Sequence, residues 1–328
     1  MNAAAAAHAI PLPTHVTARP APAAPFHFQG TVHKPSHFPA PLTAYHKGVY
    51  WQTLRLDGDL LGVRMEDASG RDRPAIDVTL YSPSPLSRAR TAAALAELSW
   101  RFDLDCDLAP FELASRDDPL LAPVVQRWSG MRVSAGCSLY ETLIIFITLQ
   151  NATVRRTVQM MQALLSAYGT ALRFDGHTLY AFWTPAEMAA VPEQELRALK
   201  VGYRAVSLLR VSQAFAAEPG LEGSLRRSPP EEARRSLLAL YGVGPASVDG
   251  LLFEFLHHYD ALDHMPPWQG KIFSRLLFGQ ERPPEETLAE VTRRWGPWRA
   301  LAAHYIFEDL FWQHSRTPIP WLQALIRL

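Results

Sequence analysis

Hydrophobic and polar residues follow three successive patterns along the chain. From Phe26 to about Trp100 they alternate. Gly48-Val49-Tyr50-Trp51-Gln52-Thr53-Leu54-Arg55-Leu56 has the period of a half-buried strand and stops at a turn, Asp57-Gly58-Asp59. Leu60 to Met65 and Ala75 to Tyr81 predict two further strands, with Ser69-Gly70-Arg71 turning between them, and Leu86 to Trp100 predicts a helix. The expected unit is a small antiparallel sheet covered by a helix.

Past that point the period becomes helical. Ser138-Leu139-Tyr140-Glu141 is a capping box opening a helix to Leu149 that is apolar on almost every face, as expected in the middle of a bundle. The polar break Gln150-Asn151-Ala152-Thr153 precedes another helix, to about Tyr168. Thr184-Pro185-Ala186-Glu187 is a second box, and Glu193 to Leu199 starts a further helix. Ser228-Pro229-Pro230-Glu231 reads as a third box, opening a helix that runs through Leu237-Leu238-Ala239-Leu240. Pro283-Pro284-Glu285-Glu286 opens another.

Between two of these helices lies the elbow Tyr241-Gly242-Val243-Gly244-Pro245-Ala246-Ser247. The glycines reach backbone angles closed to other residues and leave the backbone uncovered. Pro245 suits a first helical turn, where its missing N–H costs nothing. The next helix therefore offers a bare N-terminus, a good seat for phosphate, although a tight helix turn with no ligand has the same sequence.

Composition sets limits on this picture. The chain has 328 residues, 48% of them apolar, and a formal net charge of zero. No global field draws it to nucleic acid, so any such binding rests on local patches and helix ends. Two cysteines, Cys106 and Cys137, argue against a disulfide framework, fit a reducing cytoplasm and are too few for a four-cysteine iron–sulfur cluster. The Ala- and Pro-rich residues 1–25 read as a disordered tail rather than a signal peptide, and no stretch is long and apolar enough to span a membrane. Asp103, Asp105 and Asp107 lack the glycine and distant glutamate of a calcium loop and read as a solvated turn. His257, His258, Asp263 and His264 could suggest zinc, but adjacent helical histidines point about 100° apart and no HExxH spacing is present. No metal or other cofactor is expected.

The stretch from Leu240 to Leu277 resembles the helix-hairpin-helix and Gly/Pro-Asp motif of the base-excision DNA glycosylases, most of all the 3-methyladenine DNA glycosylase II type. The matching residues are Leu240, Gly242, Val243, Gly244, the apolar helix Val248 to Leu256, Asp260 and Arg275-Leu276-Leu277. The closing run Trp295-Gly296-Pro297-Trp298-Arg299 and the linker around Asp117-Asp118-Pro119 extend the resemblance. It implies an α+β protein: a disordered tail (1–25), a sheet domain (26–110) and a helical glycosylase domain (111–328), binding damaged duplex DNA as a cytoplasmic monomer. It also implies phosphate contacts from Gly242, Val243, Gly244, Ala246, Ser247 and Lys271. Gln150 and Asn151 would form the turn that enters the minor groove, and Tyr203, Tyr241 and Trp268 the base pocket. Ala246 occupies the position of the lyases' Schiff-base lysine, so the implied activity is monofunctional.

One departure bears on the chemistry. Counted without gaps, the family's catalytic aspartate falls on Pro266. Asp263, three residues earlier, is the expected substitute, with Glu254 and Asp249 as weaker candidates. Two alternatives follow: a catalytically silent damage-binding protein, or a glycosylase acting on another lesion through a rearranged carboxylate. Arg293, Arg294 and Arg299 suit phosphate contacts or a solvated face equally.

Overall fold

The computed structural model describes residues 8–68 and 73–326. Two short strands, β1 (Ile10–Pro11) and β2 (Thr14–Ala18), and a short helix α1 (Phe28–Val32) precede the run β3 (Thr43–His46), β4 (Val49–Leu56), β5 (Asp59–Asp67) and β6 (Ile76–Ser82). Five of these strands form an antiparallel sheet in the order β2-β6-β5-β4-β3. The β4–β5 hairpin turns on Asp57 and Gly58, both at positive φ, as a tight two-residue turn requires. The turn expected at Ser69-Gly70-Arg71 lies outside the described residues.

The two-residue period decides what each face meets. Leu61, Val63 and Met65 of β5 join Ile76, Val78 and Leu80 of β6 against Ala94 and Leu98 of helix α2 (Arg88–Arg101). The intervening positions look the other way, and there the expectation was incomplete. A hairpin, β7 (Thr170–Phe174) and β8 (His177–Ala181), lies in a stretch read as helical; Asp175 and Gly176 at its tip, both at positive φ, were the missed signal. Leu172, Phe174 and Leu179 of this hairpin cover the second face of the sheet together with Trp51 and Leu12. Covering both faces makes the sheet the middle layer of three.

The tail expected to be disordered is likewise corrected over part of its length. β2 pairs with β6 through five residue pairs, β1 pairs in parallel with β7, and Arg19 grips Asp77 with two hydrogen bonds. Thr14-His15-Val16-Thr17-Ala18 alternates like any strand, but Ala- and Pro-rich flanks hide it.

The helical part runs α3 (Ala109–Ala114), α4 (Ala122–Arg127), α5 (Leu139–Leu149), α6 (Val154–Tyr168), α7 (Pro185–Ala189), α8 (Glu193–Ala198) and α9 (Arg204–Ala217). It continues with α10 (Leu221–Leu225), α11 (Pro230–Leu238), α12 (Pro245–Glu254), α13 (Pro267–Phe278), α14 (Pro284–Trp295), α15 (Arg299–Arg316) and α16 (Pro320–Ile326). The boxes at Ser138 and Thr184 form in full. The one at Ser228 does not. α11 starts at Pro230 with Pro229 as its cap, which has no oxygen to offer, and the Ser228 hydroxyl donates to the Ser224 carbonyl instead. α5 is central, with Leu139, Leu143 and Ile144 fully buried, as its all-round apolarity implied.

The acidic run is more structural than a solvated turn. Asp105 accepts from Ser99 Oγ, Asp107 accepts from the Ala109 N–H, and Asp103, nearly buried, accepts from the Tyr259 hydroxyl across the domain junction. Burial pushes the Asp103 carboxyl up to about 6. Among the described residues, no three His, Cys, Asp or Glu side chains gather as metal ligands do.

Gly62 allows the layers to close: a Cβ there would sit 2.5 Å from Phe174 Cγ and 2.6 Å from both Cδ atoms. Gly62→Ala is expected to destabilise the protein by about 1–3 kcal/mol, the usual cost of overpacking, read as a lowered urea midpoint at unchanged slope.

Candidate nucleic-acid interface and a buried charge cluster

The elbow joins α11 to α12 as a helix-hairpin-helix. Gly242 has φ +79°, and a Cβ on it would lie 2.5 Å from Ser207 Oγ, so glycine is required there twice over. Gly244 caps α12 from extended backbone with open space where a Cβ would be. The first bond of the helix runs from the Val248 N–H to the Gly244 carbonyl. The N–H groups of Ala246 and Ser247 therefore lie ahead of the ladder at the positive end of the helix. Tyr241, Gly242 and Ala246 are exposed, Gly244 and Ser247 partly so, and Val243 is buried as the hairpin's anchor. Lys271 stands on α13, half exposed, 3.7 Å from Glu281.

The polar break after α5 is bonded to this hairpin. Gln150 Nε2 donates to the Gly242 carbonyl at 2.8 Å, and Asn151 Nδ2 donates to the Tyr203 hydroxyl at 3.2 Å. Asn151 is exposed at φ +49°, a left-handed conformation that asparagine tolerates better than most residues. Arg204 donates to the Gln150 carbonyl and Arg156 to the Lys200 carbonyl, and the Arg204 guanidinium lies 4.7 Å above the Tyr203 ring. The turn, the hairpin and Tyr203 form one face with cations behind it.

The expected aromatic pocket does not come together. Tyr203 and Tyr241 are more than half exposed on the hairpin face, whereas Trp268 packs edge-on against Phe307 of α15, 5.6 Å between centroids. The expected carboxylate also needs correction. Asp263 accepts from Arg234 Nη2 at 2.8 Å and from Arg299 Nη2 at 2.7 Å, so two guanidiniums hold it in the loop. Asp249, almost fully buried, accepts from Arg234 Nη1, from the Asp263 and His264 N–H groups and lies 3.1 Å from His264 Nδ1. Both aspartates fasten the crossing from α12 to α13. Pro266 caps α13 and brings no carboxylate.

A different group of charges sits where the segment after α1 meets α12 and α15. Lys34 is buried; its ammonium donates to the Arg132 carbonyl at 3.1 Å and lies 3.2 Å from His304 Nε2. Ser36 Oγ donates to Glu308 Oε1 at 2.5 Å. Glu254 ends α12 close enough to Lys34 and Glu308 to feel both charges, and Phe253 packs on the His304 ring. Burial, reinforced by Glu308, pushes the Glu254 carboxyl up to about 7. Burial brings the Lys34 ammonium down to about 8 and holds His304 neutral. His37, brought down to about 4 by burial and Lys34, keeps open surface although protein surrounds it, and Glu254 and His304 are also partly accessible. The group therefore reaches the surface at its edge. A cleft of about 440 Å³ beside Arg55, Tyr140 and Trp183 lies elsewhere and contains none of these residues.

Lys34, His304 and Glu308 were not recognised from the sequence. The available signal was two polar positions four residues apart, His304 and Glu308, within the largely apolar stretch Ala300–Trp312 of α15.

No family model matches the chain. It is 23% identical to the DNA-3-methyladenine glycosylase of Bacillus subtilis over 215 residues, 64% of this chain and 70% of that protein. Among solved structures, the 3-methyladenine DNA glycosylase of Archaeoglobus fulgidus superposes with a TM-score of 0.74 at 18% identity, covering 89% of this chain and 98% of that one. The 8-oxoguanine glycosylase/lyase of Clostridium acetobutylicum, solved with double-stranded DNA containing cytosine opposite 8-oxoguanine, superposes with a TM-score of 0.67 at 18% identity, covering 90% and 94%. With the hairpin, the turn bonded to it and the sheet domain all in place, the chain has the fold of these helix-hairpin-helix DNA glycosylases and is similar in sequence to the 3-methyladenine DNA glycosylase type.

Proposed function

We propose that the protein is a monofunctional DNA glycosylase that extrudes an alkylated base from duplex DNA and hydrolyses its bond to the sugar, opening base excision repair as a cytoplasmic monomer. The observation that carries this reading is the hydrogen bond from Gln150 to the Gly242 carbonyl, with Asn151 beside it. It fixes a protruding amide turn at a set distance from a helix N-terminus. A duplex gripped by the N–H groups of Ala246 and Ser247 then meets Asn151 in its minor groove. The Asn151 amide can fill the space of an extruded base and hydrogen-bond the partner left behind. Lys271 would add a phosphate contact from α13.

Local charge makes up for a neutral total. Arg155, Arg156, Lys200 and Arg204 surround the turn, and two of them donate to backbone carbonyls that shape it. The wider family's lyase chemistry needs a lysine where this chain has Ala246, which supports hydrolysis without strand cleavage. The relative in Bacillus subtilis carries the name of an alkylated-base enzyme. None of the helices is long and apolar enough to cross a membrane among the described residues.

Release of free methylated purines from alkylated duplex, with protein in excess over DNA, is the direct test. The strand should remain intact until treated with alkali. No release would sink the glycosylase reading, and strand scission without alkali would sink the monofunctional one.

Gly244→Ala separates binding from folding. Its backbone suits any residue and its Cβ meets nothing, so the melting temperature should not move. The new methyl group would stand in front of the helix N-terminus, and affinity for duplex DNA should fall about tenfold, the worth of one hydrogen bond to a charged group. An unchanged affinity in a fluorescence-anisotropy titration would remove the hairpin from the interface.

A further inference from the structure

We propose that Tyr241 is a DNA contact of the hairpin, its ring laid on a deoxyribose and its hydroxyl donated to the adjoining phosphate, so that the hairpin holds its strand by neutral contacts alone. The proposal rests on the glycosylase reading above and adds to it a binding residue and the chemistry of the grip.

The elbow sorts its side chains into two directions. Leu240 packs against the main core and Val243 is buried in it, whereas Tyr241, Gly242, Pro245 and Ala246 are exposed. Only one of these four outward residues has a large side chain. Tyr241 is 57% exposed, and among the described residues its hydroxyl has no hydrogen bond and its ring meets no other ring or guanidinium. Its root is nevertheless fixed. The next residue, Gly242, gives its carbonyl to Gln150 Nε2 at 2.8 Å and lies so close to Ser207 that no Cβ fits. The ring is thus carried by rigid backbone beside the Gln150–Asn151 turn and left without a partner.

Apolar surface is concentrated here rather than scattered. Half of the large hydrophobic side chains exposed among the described residues, Leu149, Tyr203, Leu238 and Tyr241, belong to the elbow, the turn and the segments next to them. Leu149 precedes Gln150, Leu238 ends α11 three residues before Tyr241, and the Tyr203 hydroxyl accepts from Asn151 Nδ2. Exposed apolar surface gathered in one place marks a contact surface.

The charges around it decide what that surface contacts. From Ser236 to Leu256 there is no lysine or arginine, and the two charged residues, Asp249 and Glu254, are acidic. No ion pair from this segment can hold a phosphate. What the segment offers is the N–H groups of Ala246 and Ser247, one phenol and apolar surface. A nucleotide backbone has the matching parts, an apolar sugar edge beside an anionic oxygen that accepts hydrogen bonds. Cations belong instead to the turn and its surroundings, where Arg155 and Lys200 are exposed and neither side chain has an ion pair among the described residues. Dependence on salt therefore comes from the turn, and the hairpin adds affinity without adding to it.

The test is fluorescence anisotropy on a duplex with a tetrahydrofuran in place of one nucleotide, which needs no base release, titrated with the full chain from about 50 to about 200 mM salt. Tyr241→Ala removes ring and hydroxyl, Tyr241→Phe the hydroxyl alone, and Arg155→Ala is the ionic comparison. Because the ring packs on nothing, both Tyr241 variants should melt with the native chain. Tyr241→Ala should weaken binding about tenfold at every salt concentration, with Tyr241→Phe between it and the native chain. The slope of log affinity against log salt should stay native in both and become shallower by about one in Arg155→Ala. Native affinity in Tyr241→Ala would overturn the proposal and leave the apolar face to another occupant, such as a protein surface. A shallower slope in either Tyr241 variant would overturn the neutral grip, and native affinity in Tyr241→Phe the phosphate contact. If Tyr241→Ala melts lower, Tyr241→Phe, which keeps the ring, decides by itself. A native chain that binds the duplex yet releases no base ends the glycosylase reading and leaves this comparison intact; one that binds no duplex overturns both.

Discussion

The arrangement of the helical domain depends on one buried carboxylate. Asp249, on the second helix of the hairpin, accepts from Arg234 on the first and from two successive N–H groups of the loop beyond, Asp263 and His264. Arg234 then reaches Asp263, and Asp263 reaches Arg299 at the start of α15. Four segments distant in sequence are fixed by carboxylate–guanidinium and carboxylate–amide bonds. Removing Arg234 leaves Asp249, 3% exposed, without its guanidinium, which costs far more than a surface ion pair contributes. The angle between α11 and α12 is therefore set from behind, and the face carrying Gly242 and Gly244 can stay bare.

A chain with no net charge must place each charge selectively to hold a polyanion. Here most acidic groups near the interface are already paired with arginines, and the cations nearest the turn, Arg156 and Arg204, donate to backbone carbonyls. The Arg204 bond holds the Gln150–Asn151 turn in shape, and Arg156 on the Lys200 carbonyl adds positive charge nearby. The geometry of the turn and the favourable potential come from the same side chains. Glu254 and Glu308 lie instead with Lys34, where burial shifts the carboxyls and the ammonium toward neutrality.

Much of this could be read from the sequence, because local rules set it. The elbow glycines, the boxes at Ser138 and Thr184, and the alternation of β4 to β6 depend on neighbours within a few residues, and each formed where expected. What escaped depends on contacts between distant segments. Thr14–Ala18 becomes a strand because β6 offers it an edge, and Asp175-Gly176 becomes a hairpin tip because the outer face of the sheet needs cover. The site divides in the same way. Gln150, Asn151 and Gly242 could be assigned from a motif, and the structure brings them together. The fate of Asp263 could not, because Arg234 and Arg299 lie 29 and 36 residues away from it. Nor could the charge cluster, which brings Lys34 from near the start of the chain to Glu308 and His304 near its end.

The loss of a carboxylate at Pro266 changes the demands on everything near it. Proline at that position starts α13 cleanly and stiffens the loop, and Asp249 and the two arginines complete the fixation. A loop held in this way cannot also lend a free anion to a sugar, because the bonds that order Asp263 are the bonds that neutralise it. The helix α12 is rigid for other reasons, packed through Leu251, Leu252 and Phe253 into the main core while its N-terminus faces the hairpin side. In this chain the crossing is thus fixed twice, by the ion pairs that hold Asp263 in the loop and by the packing of the helix that precedes it.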